Sequence, residues 1–241
     1  MVRALLFVAV LLAAEARAQA PEVIAAHPPG KGPFPVMVLG AGQGYHMRLP
    51  ILEQTASALV KEGVAVYRFD WRFYTRDPAK LEMSPGLAEE TADFQAVLAL
   101  VRADPKVDKT RVFVGGKSLG SLVSYRVFAA DPTLKGIALI TPVCHQGPIE
   151  KMYPGIEREK RPVAFILGDK DPVCPAARFA EYVALPGISN SKQQASLTRG
   201  DHAFGYGPDA SAEQKGQQAK NIEFVAGYVA EFAAQASKVP N

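Results

Sequence analysis

Histidine and cysteine are scarce in this chain. Its 241 residues include four histidines and two cysteines. His27, His46, His145 and His202 are scattered, and no His-Glu-x-x-His pair occurs, so no metal or other cofactor is expected. A strong excess of charge is lacking too. The formal net charge is +3, far from the dense basic footprint that nucleic acid requires, so nucleic acid is not expected as the main partner. Beyond the first residues, no apolar run is long enough to span a bilayer. Internal repeats, low-complexity stretches and interdomain linkers are also missing.

The N-terminus is the exception to this even composition. Met1-Val2-Arg3 is a short basic start, and Ala4 to Ala14 is an apolar run too short to cross a membrane comfortably. Two small-residue triplets follow, Ala16-Arg17-Ala18 and Ala18-Gln19-Ala20. Residues 1–18 therefore read as a secretory signal peptide, cut after Ala18 because the other cut leaves Pro21 just beyond the scissile bond. An uncleaved anchor is the competing reading. The expected product is one domain, residues 19–241, periplasmic or secreted, with no stable membrane anchor. About 220 residues are ample for one buried core.

Export bears on the two cysteines, since an exported protein meets oxidising conditions. Cys144 follows an apolar run at 136–141, and Cys174 follows another at 163–167. If these are neighbouring strands, both thiols lie at one edge of the sheet. A Cys144–Cys174 disulfide near the functional site is expected.

Short apolar runs alternate with helical patterns along the chain. Strands are predicted at 35–39, 64–69, 111–114, 135–141, 162–167 and, more weakly, 194–198. Helices are predicted at 49–62, 87–103, 119–130, 175–182 and 212–234, from apolar residues at helical spacing. Residues 70–86 read as a loop, and the segment before Pro35 has room for one more strand. Such alternation implies an α/β fold: a mostly parallel sheet of about six to eight strands with helices on both faces.

The strand at 111–114 runs into Gly115-Gly116-Lys117-Ser118-Leu119-Gly120, and a helix follows. A serine there can simply cap the helix. The Gly116-Lys117-Ser118 triplet also resembles the end of a phosphate-binding loop, but that loop needs glycine where Arg111 stands. A Gly-x-Ser-x-Gly on a strand–turn–helix instead resembles the nucleophile elbow of the α/β-hydrolases. Its glycines let strand and helix pass closely, and the turn exposes Ser118 at the sheet edge.

A serine hydroxyl needs a base to take its proton, and the base needs an orienting acid. In that fold the order along the chain is serine, acid, histidine. The turn Gly168-Asp169-Lys170-Asp171-Pro172 offers two carboxylates, Asp169 and Asp171. Of the four histidines, His202 alone follows them on a glycine-flanked loop before a helix. The oxyanion donors expected are the backbone N–H of Leu119 and one from Gly40-Ala41-Gly42, with Ala41 preferred and Gly42 close behind. Gly42, Trp71, Tyr74 and His145 are the expected substrate contacts. For Trp71 and Tyr74, packing beneath the site is an equal reading. Lys117 has no assigned catalytic role.

Within the superfamily the chain is similar to the small dienelactone-hydrolase-like members. The resemblance spans nearly the whole mature chain. It rests on Val38-Leu39-Gly40-Ala41-Gly42, Tyr67-Arg68-Phe69-Asp70, Gly116-Lys117-Ser118-Leu119-Gly120, Gly168-Asp169-Lys170-Asp171-Pro172 and Gly200-Asp201-His202. It selects Asp171, because the acid of such families commonly stands three residues after the glycine and before a proline. Two positions depart from the pattern. Leu39 stands where many relatives have histidine, and Ser118 stands where dienelactone hydrolases proper use cysteine, so their substrate is not carried over.

Residues 142–161 are too few for a large cap domain. The expectation is an exported serine hydrolase that cleaves a carboxylic ester through an acyl-enzyme, on small or short-chain substrates. Its catalytic residues would be Ser118, Asp171 and His202. An amidase or peptidase on the same residues, or a non-catalytic binding protein of the same fold, is the alternative.

Overall fold

The structure, a computed structural model, describes residues 21–77, 79, 81–188 and 192–238. The expected signal peptide lies outside these residues. Seven strands form one sheet: β1 (Val23–Ala26), β2 (Phe34–Gly40), β3 (Ala65–Phe69), β4 (Val107–Lys117), β5 (Gly136–Ile140), β6 (Val163–Gly168) and β7 (Gln193–Thr198). The helices are α1 (Pro50–Lys61), α2 (Arg72–Arg76), α3 (Ala88–Ala103), α4 (Leu119–Ala130), α5 (Ile149–Met152), α6 (Ala176–Val183) and α7 (Ala212–Ser237). No described helix is long and apolar enough to cross a membrane.

The sheet order is β1-β3-β2-β4-β5-β6-β7. Only β1 is antiparallel to its neighbour; every other pairing is parallel. β5 and β6 are buried along their whole length, and so is β2 after its first residue. A strand covered on both faces needs an unbroken apolar run, which is how these segments read. α1 packs against α7 and α3 against α4. A reciprocal Ser211–Gln214 cap opens α7.

Two segments differ from the sequence expectation. β4 begins at Val107, because Asp108, Lys109 and Thr110 extend the strand beyond the covered part of the sheet and need no apolar side chain. Residues 70–86 are not all loop: Arg72–Arg76 makes one helical turn. The Arg72 backbone N–H donates to Asp93 Oδ2 at 2.9 Å, and its guanidinium pairs with the same carboxylate. Arg72 therefore holds α2 to α3.

The parallel order brings the C-terminal ends of β2, β4 and β6 to one edge. The chain leaves that edge through the loop after Gly40, the Ser118 turn and the Asp171 turn. The Cys144–Cys174 bridge joins the loop after β5 to the turn after β6, with Cα atoms 4.7 Å apart.

Candidate active site

Ser118 is held by steric necessity. An added Cβ on Gly116 would come within 2.5 Å of the Gly120 backbone, and one on Gly120 would overlap the Gly40 carbonyl. Ser118 itself has φ 54° and ψ −116°, a conformation that costs a non-glycine residue about 1–3 kcal/mol. Its backbone N–H donates to Ile140 O of β5 at 3.0 Å, which ties the turn to the sheet. Leu119 is the first residue of α4, where backbone N–H groups have no partner within the helix.

Asp171 is the carboxylate that meets the histidine. Its Oδ2 lies 2.8 Å from His202 Nδ1, and its Oδ1 accepts the Val173 N–H at 2.8 Å and the Cys174 N–H at 3.3 Å. Asp171 is buried and its carboxylate is committed to these three donors. A carboxylate on Nδ1 selects the tautomer with the proton there and leaves Nε2 as an acceptor. Asp169 is exposed and accepts the Gly200 N–H at 2.8 Å, so it holds the histidine loop from outside. Asp201 folds the loop from within, accepting the Ala203 N–H at 2.8 Å and the Gly205 N–H at 2.9 Å. Asn221 of α7 donates to Arg199 O and Phe204 O at 2.8 and 3.0 Å.

Ser118, His202 and His145 open onto one cleft of about 1040 Å³, with Leu119, Leu122 and Tyr125 of α4 along its wall. His145 is exposed at the rim. Tyr153 lies beneath this region; its hydroxyl meets Ser121 Oγ and accepts the Val143 N–H, both at 2.8 Å. Burial pushes this phenol up from its usual value. The loop after β2 closes one side. A Cβ on Gly42 would come 3.3 Å from the Ser118 Cβ and 2.6 Å from the Tyr45 ring, so glycine is required for this approach.

Two expected substrate contacts are corrected. Trp71 is fully buried, and its Nε1 donates to Ala41 O at 2.9 Å. It packs edge-on against Phe69, which stacks likewise on Phe94, with ring centroids 4.7 and 5.5 Å apart. Trp71 supports the glycine loop from below. Tyr74 is not part of the Ser118 cleft; its ring lies against His46, 6.1 Å between centroids. His27 lies away from this cleft, with its Nε2 2.8 Å from Asp104 Oδ2. Tyr45 and the α4 side chains are cleft-lining residues that the motif reading missed. The available signals were an aromatic residue just beyond the glycine loop and the three-to-four spacing of Leu119, Leu122 and Arg126.

A mostly parallel sheet with a serine on a strained strand–helix turn, and an Asp–His pair on the loops beside it, is the arrangement of the α/β-hydrolase fold. The chain belongs to the alpha/beta hydrolase domain family, whose model matches residues 34–234. Among solved structures, an alpha-beta serine hydrolase homologue from Coxiella burnetii is 21% identical. The match covers 86% of this chain and 90% of that one, with a TM-score of 0.63. Est1E from Butyrivibrio proteoclasticus is 15% identical over 90% and 94%, with a TM-score of 0.65. An esterase domain from Rhodothermus marinus is 15% identical over 89% and 98%, with a TM-score of 0.60. At these identities the likeness establishes the fold. No curated protein sequence matches the chain at a significant level.

Proposed function

We propose that the protein is an exported serine hydrolase that cleaves carboxylic esters through an acyl-enzyme. The observation that carries this reading is the 2.8 Å contact between Asp171 and His202, on a histidine that shares one cleft with Ser118. Ser118 Oγ attacks the ester carbonyl while His202 Nε2 takes its proton. The negative charge on the carbonyl oxygen is met by backbone N–H groups of Leu119 and the Ala41–Gly42 segment. His202 then returns the proton to the leaving alcohol. Water repeats the sequence on the acyl-serine and releases the acid.

The cleft is open, and its α4 wall sets apolar Leu119, Leu122, Ala129 and Ala130 beside Tyr125 and Arg126, which suits esters of small acids, aryl acids included. A structure of Est1E with ferulic acid bound is among the neighbours of the same fold. Export rests on residues 1–18, and the Cys144–Cys174 bridge fits an oxidising compartment. N-terminal sequencing of the protein from its source checks the cut after Ala18.

The direct test is hydrolysis of p-nitrophenyl esters of increasing chain length, beside Ser118→Ala. Turnover of short chains that vanishes in Ser118→Ala is the expected result. Unchanged turnover in that variant would overturn the assignment of the nucleophile.

A further inference from the structure

Lys117 stands immediately before the proposed nucleophile, yet its side chain belongs to a different cavity. It is 2% exposed, and its Nζ is buried without a hydrogen-bond partner. The ammonium lies 4.6 Å from the centroid of the Tyr45 ring. The nearby carboxylates are already engaged: Asp171 by His202 and two backbone N–H groups, Asp201 by the N–H groups of its own loop. A buried cation without a partner costs several kcal/mol unless it sheds its proton or gains an anion.

The cavity over Lys117 is about 400 Å³, within the roughly 300–1,000 Å³ range of small-molecule sites. The start of α1, with Leu49, Pro50 and Ile51, forms one wall. The first turns of α7, with Lys215 and Ile222, form another. The start of α1 carries no side-chain cap, and its first turn holds one acidic residue, Glu53. Glu53 of the same turn is exposed, with Arg68 Nη1 3.9 Å from its carboxylate. The cavity therefore combines a buried ammonium, a second lysine at the mouth and apolar walls. Tyr45 lines both this cavity and the Ser118 cleft and is the partition between them.

We propose that the cavity over Lys117 is a second binding site, for the carboxylate of a small organic acid, separate from the Ser118 cleft. Gln54 and Gln218 also line the cavity, but Leu49, Pro50, Ile51 and Ile222 favour an organic anion over an inorganic one, because they reward a hydrocarbon part that an inorganic ion lacks. The carboxylate is drawn to the Lys117 ammonium and reaches its Nζ when the Tyr45 ring that lies over it shifts, and its hydrocarbon part lies against α1 and α7. Under the ester-hydrolase reading, the released acid belongs to this ligand class, but the site itself does not depend on that reading.

Affinity has a defined pH dependence. Burial lowers the Lys117 pKa to about 8, against the opposing pull of Asp171 and Asp201. The groups around it are Asp171 from the turn after β6, Asp201 from the histidine loop, Tyr45 from the glycine loop and Lys215 from α7. The phenol of Tyr45 is raised from its usual value by burial and by Asp201 and Asp171, so it stays neutral in this range. The carboxylate binds the protonated amine, so its affinity declines as pH rises through about 8.

The test is a calorimetric titration of the intact protein with benzoate, and with benzamide as the uncharged counterpart. Saturable binding of benzoate alone is expected, retained in Ser118→Ala, at least tenfold weaker in Lys117→Met and weaker at pH 9 than at pH 7. Lys215→Glu, an exposed change that leaves the fold intact, is expected to weaken it at least threefold. It decides the matter should Lys117→Met fail to fold. No binding, equal binding of benzamide, or unchanged affinity in Lys117→Met or Lys215→Glu would overturn the proposal. So would loss of binding once Ser118 is covalently blocked by a small phosphonate. Failure of that labelling would count against Ser118 as nucleophile and leave the binding result intact.

Discussion

The indole Nε1 of Trp71 donates to the carbonyl oxygen of Ala41 at 2.9 Å. Across a trans peptide the carbonyl of one residue and the N–H of the next point in opposite directions. With the Ala41 carbonyl turned toward Trp71, the Gly42 N–H is turned away from the core. The backbone beside Ser118 is thus oriented by a side chain 30 residues away. Asp70 adds a second tie, accepting the Met47 N–H at 2.6 Å, and Arg68 donates to Met47 O at 2.6 Å. The loop beside Ser118 is therefore set from the end of β3.

Trp71→Phe keeps the aromatic packing on Phe69 and removes the N–H donor. It leaves the Ala41 carbonyl without its partner, at a cost of about 1–3 kcal/mol in stability. On p-nitrophenyl acetate, kcat is expected to fall about tenfold, which is about 1.4 kcal/mol of transition-state stabilisation, with KM little changed. Steady-state kinetics beside a melting curve separates the two effects. An unaltered kcat would mean that the loop is positioned without the indole.

The two carboxylates of the turn after β6 have different partners and give different variants. Asp171→Asn removes the acceptor that sets the His202 tautomer, and kcat is expected to drop by about 10²–10⁴. Asp169→Asn touches only the Gly200 N–H and should cost about 1 kcal/mol of stability with most activity kept. Comparison of kcat for the two purified variants checks this, and equal losses would contradict the division of roles.

The disulfide sits beside Asp171. Cys174 N–H donates to Asp171 Oδ1, and Cys144 N–H donates to Val173 O at 3.0 Å. The bridge closes a loop with a sequence separation of 30 residues, and its removal is expected to cost about 2–4 kcal/mol. Denaturant unfolding of Cys144→Ala/Cys174→Ala against the oxidised protein measures this. A midpoint that does not move would show that the bridge adds no stability.

Lys117 gives stability a pH dependence of definite sign. Its folded pKa, about 8, lies below the ordinary lysine value of 10.5 because burial disfavours the charge. Between these values the unfolded chain binds more protons than the folded one, so this residue makes stability rise with pH from about 8 to 10.5. The full effect is about 3 kcal/mol for so buried a group. Urea unfolding at pH 7.5 and 10 should show this component in the wild type and not in Lys117→Met. A slope identical in both would place the ammonium in a solvated setting.

Local sterics and periodicity determined much of this protein from sequence alone. The apolar runs became parallel strands because both faces of the sheet are covered. Gly116 and Gly120 announced the Ser118 turn because no Cβ fits where β4 and α4 cross. The order of Ser118, Asp171 and His202 was also readable, since each stands on a turn with its own local signature. The tertiary structure decided what depends on partners remote in sequence. Asp171 meets His202 across 31 residues while Asp169 holds Gly200, a choice made by the direction each side chain takes from one turn. Trp71 faces inward to Ala41, not outward to a substrate, and Lys117 lies under Tyr45, not beside Ser118. No local pattern encodes these directions. They follow from the packing of helices and loops around the sheet, which sets the buried space open to each side chain.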